Sequence, residues 1–237
     1  MNKIFTFGDG FATGHLWPEW PQILQALLPD YEIINFAAIG AGAEWLVTQF
    51  TTQIPVMRDE IVIFQWPQAN RFDKLIEDEH WRDIARNDPS YSFNLIVDDD
   101  NRSWWISSAS KSAEIVNYHN TYIQHRQHIL RLNTYKTLIG HTLQNINCKY
   151  FFTSTSDEDI FSHNVRFSTV RQTQIQPSPP IHLVFLIEQV LPNLGSIKID
   201  QTRLLKLTDK ICNNNWIPYD PLHKDVWDDI IKYVNED

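Results

Sequence analysis

Cysteine is scarce in this chain: two among 237 residues, Cys148 and Cys212, far apart in sequence. So sparse a set cannot build a disulfide framework, and neither cysteine stands at a metal-ligand spacing, so a reduced intracellular compartment is expected. Positive charge is short as well. Twenty Lys and Arg face 29 Asp and Glu, a formal net charge of −9. Nucleic acid and anionic membrane are therefore not expected partners, since both call for a basic patch. The basic stretch His125-Arg126-Gln127-His128 reads as the solvated face of a helix. No apolar run is long enough to span a bilayer. Only Lys3 precedes a short apolar run that Gly8-Asp9-Gly10 interrupts, so no signal peptide is expected and the location reads as cytoplasmic. Glycine is limited to seven residues, and the first loop lacks a Gly-x-Gly-x-x-Gly or P-loop pattern. That weighs against phosphate-cradling nucleotide binding on a flavodoxin-like sheet, and no cofactor is implied.

What is abundant is apolar and aromatic. Apolar residues make up 43% of the chain, enough for one α/β domain spanning residues 1–237 with a sizeable core. Nine tryptophans are present. Tryptophan lines glycan and partner surfaces, and it also fills cores.

The apolar pattern alternates between strand and helix. Lys3–Phe7 is a short buried strand running into a glycine-rich turn. Trp17-Pro18-Glu19-Trp20 opens a helix, with Pro18 suited to its first turn and Pro29 stopping it. Tyr31–Phe36 is a second strand, Ala41–Phe50 a second helix, and Glu60–Gln65 a third strand, apolar enough to be central. This rhythm predicts a mostly parallel, flavodoxin-like sheet between helices, a three-layer α/β/α architecture. Residues 72–112 break the rhythm and read as an aromatic and acidic insertion of short helices or loops over the sheet edge or site mouth. It holds Trp81, Asp98-Asp99-Asp100 and Trp104-Trp105; the acidic triplet lacks the alternation and closing Glu of an EF-hand and reads as a solvated turn. A helical pattern runs from Ala113 to Ile146 and carries His119, His125, His128 and His141. His125 and His128 lie one turn apart, but no carboxylate or cysteine joins them at ligand spacing, so no metal site is expected. A fourth strand over Tyr150–Thr155, a loop from Ser156 to Pro180, a helix over Ile181–Leu191, a fifth strand at Ile197–Ile199 and a closing helix over Lys224–Val234 complete the pattern.

Ligands of a wound sheet bind at the carboxyl ends of its strands. The turn Gly8-Asp9-Gly10, the loop Asn35-Phe36-Ala37-Ala38-Ile39-Gly40, the segment Gln65-Trp66-Pro67-Gln68-Ala69-Asn70-Arg71 and the loop Asp220-Pro221-Leu222-His223 all fall there. In that order these segments resemble the sequence blocks of the SGNH (GDSL-type) hydrolases, most nearly divergent, phage-like members. Gly8, Asp9, Phe11 and Gly14 match the first block, and Asp220 and His223 match the last. The family's serine nucleophile would stand at position 10, where this chain has Gly10. The resemblance implies an oxyanion donor at Gly40 and an amide donor after the third strand. There the family's Gly-x-Asn-Asp is absent, and Gln68, Asn70 or Arg71 would have to serve.

Acyl transfer needs a nucleophile, a base and donors aimed at the oxyanion. With glycine in place of serine, the expected loss is on the order of 10⁶ in kcat. Three readings stay open. The chain is an esterase of small or carbohydrate O-acyl esters inactivated at Gly10, by engineering or natural loss. Or a water fills the space and His223 serves as its base. Or the scaffold is a non-catalytic binder of a glycan or a protein, gripped by Trp81, Trp104 and Trp105.

Overall fold

A computed structural model describes residues 2–10, 12–14, 17–67, 73–76, 95–97, 104–107, 113, 117, 125–154, 177–195, 197–217 and 223–236. Four parallel strands form its main sheet: β1 (Asn2–Gly8), β2 (Tyr31–Ala37), β3 (Ile61–Trp66) and β7 (Lys149–Ser154), in the order β2-β1-β3-β7. β1 pairs with β2 from Asn2↔Tyr31 to Gly8↔Ala37, and with β3 from Ile4↔Ile61 to Phe7↔Phe64. β3 is central, as its apolar run requires, and its other edge pairs with β7 up to Trp66↔Ser154.

Because side chains alternate across a strand, each face of the sheet needs its own cover. Ile4, Ile63 and Phe151 face one cluster, closed by α1 (Trp20–Leu27), α4 (Pro179–Phe185), α5 (Gln201–Asn213) and α6 (His223–Asn235). Phe5, Phe7, Val62, Phe64 and Trp66 face the other, closed by α2 (Ala43–Gln53) and α3 (His125–Asn145). Phe7 stacks on Phe64 at 4.7 Å between centroids and Phe64 on Trp66 at 4.6 Å, so rings line that face from β1 to the end of β3. The fold is α/β, with helices on both faces of a parallel sheet.

Several boundaries differ from the sequence reading. α1 begins at Trp20, with Glu19 as its N-cap, and Pro21 rather than Pro18 occupies the first turn. Both prolines fit the pattern, but the reciprocal bond from the Glu19 amide to Gln22 Oε1 at 3.2 Å fixes the start. Pro179 and Pro180, expected in a loop, open α4 behind the extended Ser178, since a first turn has no use for their missing N–H groups. After Phe185 the backbone widens into a π-turn over Leu186–Val190 and tightens into a 3-10 turn over Leu191–Leu194.

Ile197 and Ile199 pack against the α1/α4/α5/α6 cluster, but their segment has no strand partner. Their alternation marks burial, not sheet pairing. α5 is an element the sequence reading lacks. Asp200 caps it, accepting from the amides of Thr202 at 2.8 Å and Arg203 at 3.2 Å, while Leu207 and Ile211 are buried.

Among the described residues of the insertion are three strands the sequence reading lacks: β4 (Asp73–Ile76), β5 (Leu95–Val97) and β6 (Trp104–Ser107), which form an antiparallel sheet in the order β4-β6-β5. Their β-branched and aromatic content suits a pleated ribbon. β4 runs beside α2. Trp81 and the triplet Asp98-Asp99-Asp100 lie outside the described residues, as do the side chains of Trp104 and Trp105. Of the helical pattern expected from Ala113 to Ile146, Ala113 and Asn117 are helical and α3 covers His125–Asn145.

Candidate functional site

In the order β2-β1-β3-β7 the chain leaves β1 for one side, then crosses back to the other, so the switch point of the sheet lies at the carboxyl ends of β1 and β3. Gly8, Asp9 and Gly10 lie at that end of β1, and Gln65 at that end of β3. A Cβ on Gly8 would lie 2.8 Å from Cβ of Ala12 and 3.4 Å from that of Gln65, so glycine is what lets the loop fold back on its own strand. The turn closes with the Ala12 amide donating to the Asp9 carbonyl at 3.0 Å.

A buried polar chain underlies this turn. Asp9 is 1% exposed, and Glu19, Gln65 and Trp20 are fully buried. The Trp20 indole N–H donates to Gln65 Oε1 at 2.5 Å, and Gln65 Nε2 donates to Asp9 Oδ1 at 3.1 Å. Glu19 Oε2 accepts from the Gly14 amide at 2.8 Å, and Gln22 Nε2 donates to the Thr13 carbonyl at 3.3 Å. Burial, helped by the nearby charge of Asp9, pushes the Glu19 carboxyl up to about 8. At neutral pH Glu19 is therefore un-ionised beside Asp9. From β2, Asn35 Nδ2 donates to the Ala12 carbonyl at 2.6 Å, while its Oδ1 accepts from the Thr6 hydroxyl at 2.8 Å and the Ala37 amide at 3.2 Å.

Gly10 follows Asp9 in the turn. The left-handed glycines among the described residues are Gly14, Gly40 and Gly195, so the φ of Gly10 does not demand glycine. Gly40, at φ 76°, sits in the turn after β2 that the Ala41 amide closes onto the Ala38 carbonyl at 3.1 Å.

His223 begins α6 and is 6% exposed. Its ring lies against Trp17 at 6.0 Å and Trp216 at 5.5 Å between centroids, and Nε2 meets the Ile217 carbonyl. A carbonyl only accepts, so Nε2 carries a hydrogen in this contact. Trp17 belongs to the β1–α1 connection, and its indole N–H donates to the Pro177 carbonyl at 2.9 Å. His182 of α4 is fully buried, and burial lowers its pKa to about 3, opposed in part by the Pro177 backbone. Thus His223 packs onto the connection that carries Asp9 and Gly10. Asp220, Gln68, Asn70 and Arg71 lie outside the described residues.

One histidine of α3, His128, serves packing. His128, expected on the solvated face, is 4% exposed. Its Nδ1 accepts from Arg131 Nη2 at 2.8 Å, and Arg131 Nε reaches Glu44 Oε1 at 2.7 Å, pinning α3 to α2. His119 lies outside the described residues, and His141 is exposed. No group of three or more His, Cys, Asp or Glu among the described residues is placed to hold a metal ion. Cys148 and Cys212 are free thiols, the first buried with Sγ against the Met57 carbonyl at 2.7 Å. No helix among the described residues is long and apolar enough to cross a membrane.

Sequence reasoning missed Glu19, Gln65 and Trp17 as parts of this site. A signal existed for Glu19, since Glu19…Gln22 has the spacing of a reciprocal helix cap. No such spacing announces Gln65, whose role depends on two segments far away in sequence. Comparison of the chain with family models, with curated proteins and with solved structures finds no match.

Proposed function

We propose that this chain is an SGNH-type ester-hydrolase scaffold that binds its ligand without cleaving it, a pseudoenzyme by loss of the nucleophile. One observation supports this most directly. Gly10 stands at the carboxyl end of β1, in a turn organised around buried Asp9, and offers no atom for attack. His223 Nε2 meets the Ile217 carbonyl, so a serine restored at position 10 would engage this imidazole by taking the place of that carbonyl.

The ligand class is that of the related chemistry, a small-molecule ester or an acylated glycan. The second reading, a glycan- or protein-binding module on the same scaffold, draws on the tryptophans of the insertion. The free thiols of Cys148 and Cys212 support a reducing, cytoplasmic setting.

Gly10→Ser tests the kinship. The unaltered chain should neither hydrolyse a small chromogenic ester above background nor react with a fluorophosphonate. The Gly10→Ser protein should take up the fluorophosphonate at position 10, and His223→Ala should abolish that labelling. A folded Gly10→Ser protein that stays unlabelled overturns the kinship. Ester hydrolysis by the unaltered chain that disappears in His223→Ala overturns the pseudoenzyme reading in favour of a histidine-activated water.

A further inference from the structure

α4 and the turns that follow it carry apolar side chains on both sides. Leu183, Phe185, Leu186, Val190 and Leu194 enter the core, while Val184 and Ile187 are 49% and 37% exposed. Glu188 is the single Asp, Glu, Lys or Arg between Pro177 and Leu194, in a chain whose residues are 21% charged. A surface helix normally turns a polar or charged face to water, and a helix that is apolar all round is covered all round.

The neighbouring helix extends this surface. α5 packs beside α4, and its other flank faces α6. On that flank Lys206 and Lys210 lie over the Tyr233 ring, 5.7 and 4.3 Å from its centre, and Arg203 Nη2 donates to Asn235 Oδ1 at 2.6 Å. Leu205 stands about 100° or more round the helix from all three, away from α6. It is 69% exposed, the most exposed large apolar side chain among the described residues. Three bare aliphatic side chains on one helix pair, with so little charge beside them, have the character of a contact surface rather than of scattered exposure.

We propose that the α4/α5 face is where two copies of this chain meet as a twofold dimer. Charge selects that occupant. At a net charge of −9 two copies repel over most of their surfaces, and they approach at least cost through a face that carries almost no charge. A twofold sets the same patch on both sides, so Val184, Ile187 and Leu205 meet apolar side chains of their own kind. A strongly charged partner finds little on α4 to pair with, since electrostatic complementarity needs charges on both surfaces. α3 supplies the contrast. Leu130 and Leu138 are also exposed, but the exposed Thr134 and Thr137 lie between them and Arg126 stands at the start of the same helix, so no continuous apolar face forms there. The dimer goes beyond the hydrolase kinship and does not depend on it.

Sedimentation velocity of the full chain tests this. From about 1 to about 200 µM the average mass should climb from monomer toward dimer. Added salt should tighten the association severalfold, because it screens the repulsion and leaves the apolar contact intact. Ile187→Glu and Leu205→Glu should each raise the dimer Kd about a hundredfold or more, since a twofold buries every new carboxylate in both protomers. Leu205 is exposed enough for its substitution to spare the fold, which keeps the test decisive if Ile187→Glu misfolds. Leu138→Glu on α3 should leave the Kd unchanged. A chain that stays monomeric through this range overturns the dimer. So does a dimer that Leu138→Glu dissociates and Leu205→Glu does not, or one that added salt breaks. Flotation of a monomeric chain with phosphatidylcholine vesicles, lost in Ile187→Glu, would also overturn it and assign the face to lipid. Failure of fluorophosphonate labelling in Gly10→Ser would sink the kinship and leave the dimer as it is.

Discussion

The side chain of Asn35 bonds Ala12 across two elements: Nδ2 donates to the Ala12 carbonyl at 2.6 Å and so ties β2 to the loop that leaves β1. The same carboxamide accepts from Thr6 and Ala37, so one side chain satisfies three neighbours. Asn35→Ala should cost about 2 kcal/mol, because the carbonyl and hydroxyl it serves lose their partner in a partly buried place. Asn35→Asp should cost more, since an acceptor would then face the Ala12 carbonyl. Urea midpoints with unchanged m-values are the measurement.

Gly8 and Gly195 provide a contrast in why glycine is needed. A Cβ at Gly8 meets Ala12 at 2.8 Å, whereas at Gly195 it meets nothing within 4 Å and only the φ of 69° resists it. Gly8→Ala should cost about 1–3 kcal/mol as overpacking. Gly195→Ala should cost about 1 kcal/mol from the left-handed backbone alone. Because Ala12 is the shared partner, the double variant Gly8→Ala/Asn35→Ala should lose less than the sum of the two.

Opposite pH slopes are expected from Glu19 and His182. Glu19 has its carboxyl raised from 4.5 to about 8, so the folded chain holds a proton that the unfolded chain has lost. Its contribution to stability is present below pH 4.5 and is lost as pH rises toward 8. His182 has its pKa lowered from 6.5 to about 3, so the unfolded chain holds the extra proton and stability falls as pH drops from 6.5 toward 3. Subtracting the stability curve of Glu19→Gln from that of the unaltered chain should give a falling line over the first window. The same subtraction with His182→Gln should give a rising line over the second.

Lys136 carries a third such signature. It is 9% exposed, with Nζ 5.7 Å from the centre of the Trp66 ring, and burial lowers its pKa from 10.5 to about 7. The unfolded chain then binds the extra proton between pH 7 and 10.5, and stability from this group rises across that window. Lys136→Met keeps the packed stem and removes the charge. It should be more stable than the unaltered chain by about 2 kcal/mol at pH 6, with the advantage shrinking toward pH 10.5. Thermal midpoints taken across that range decide it.

The parallel sheet was legible because β1, β3 and β7 bury residues on both faces and, with the half-buried edge strand β2, read as short apolar runs between helical repeats. The strands of the insertion were not. Leu95–Val97 and Trp104–Ser107 are shorter than a period call needs, and polar residues surround them. α5 is marked by Asp200 and the apolar Leu204, Leu207 and Ile211, but the alternation of Ile197 and Ile199 just before it has the period of a strand. The order of the elements was enough to put Gly8 and Asp9 at the end of β1 and His223 beside the closing helix. The bond from Gln65 to Asp9 and the packing of Trp17 on His223 arise between distant segments, which no local pattern encodes.

The two faces of the sheet are completed at different times as the polypeptide leaves the ribosome. Ile4 and Ile63 emerge early, yet α4, α5 and α6, which shelter their side, come from the final third of the chain. Until those helices arrive, nascent protein offers a greasy, half-roofed plane to its surroundings. Truncated products ending after β7 should therefore clump or recruit chaperones, and damage late in the gene will act as a solubility defect before it touches any ligand.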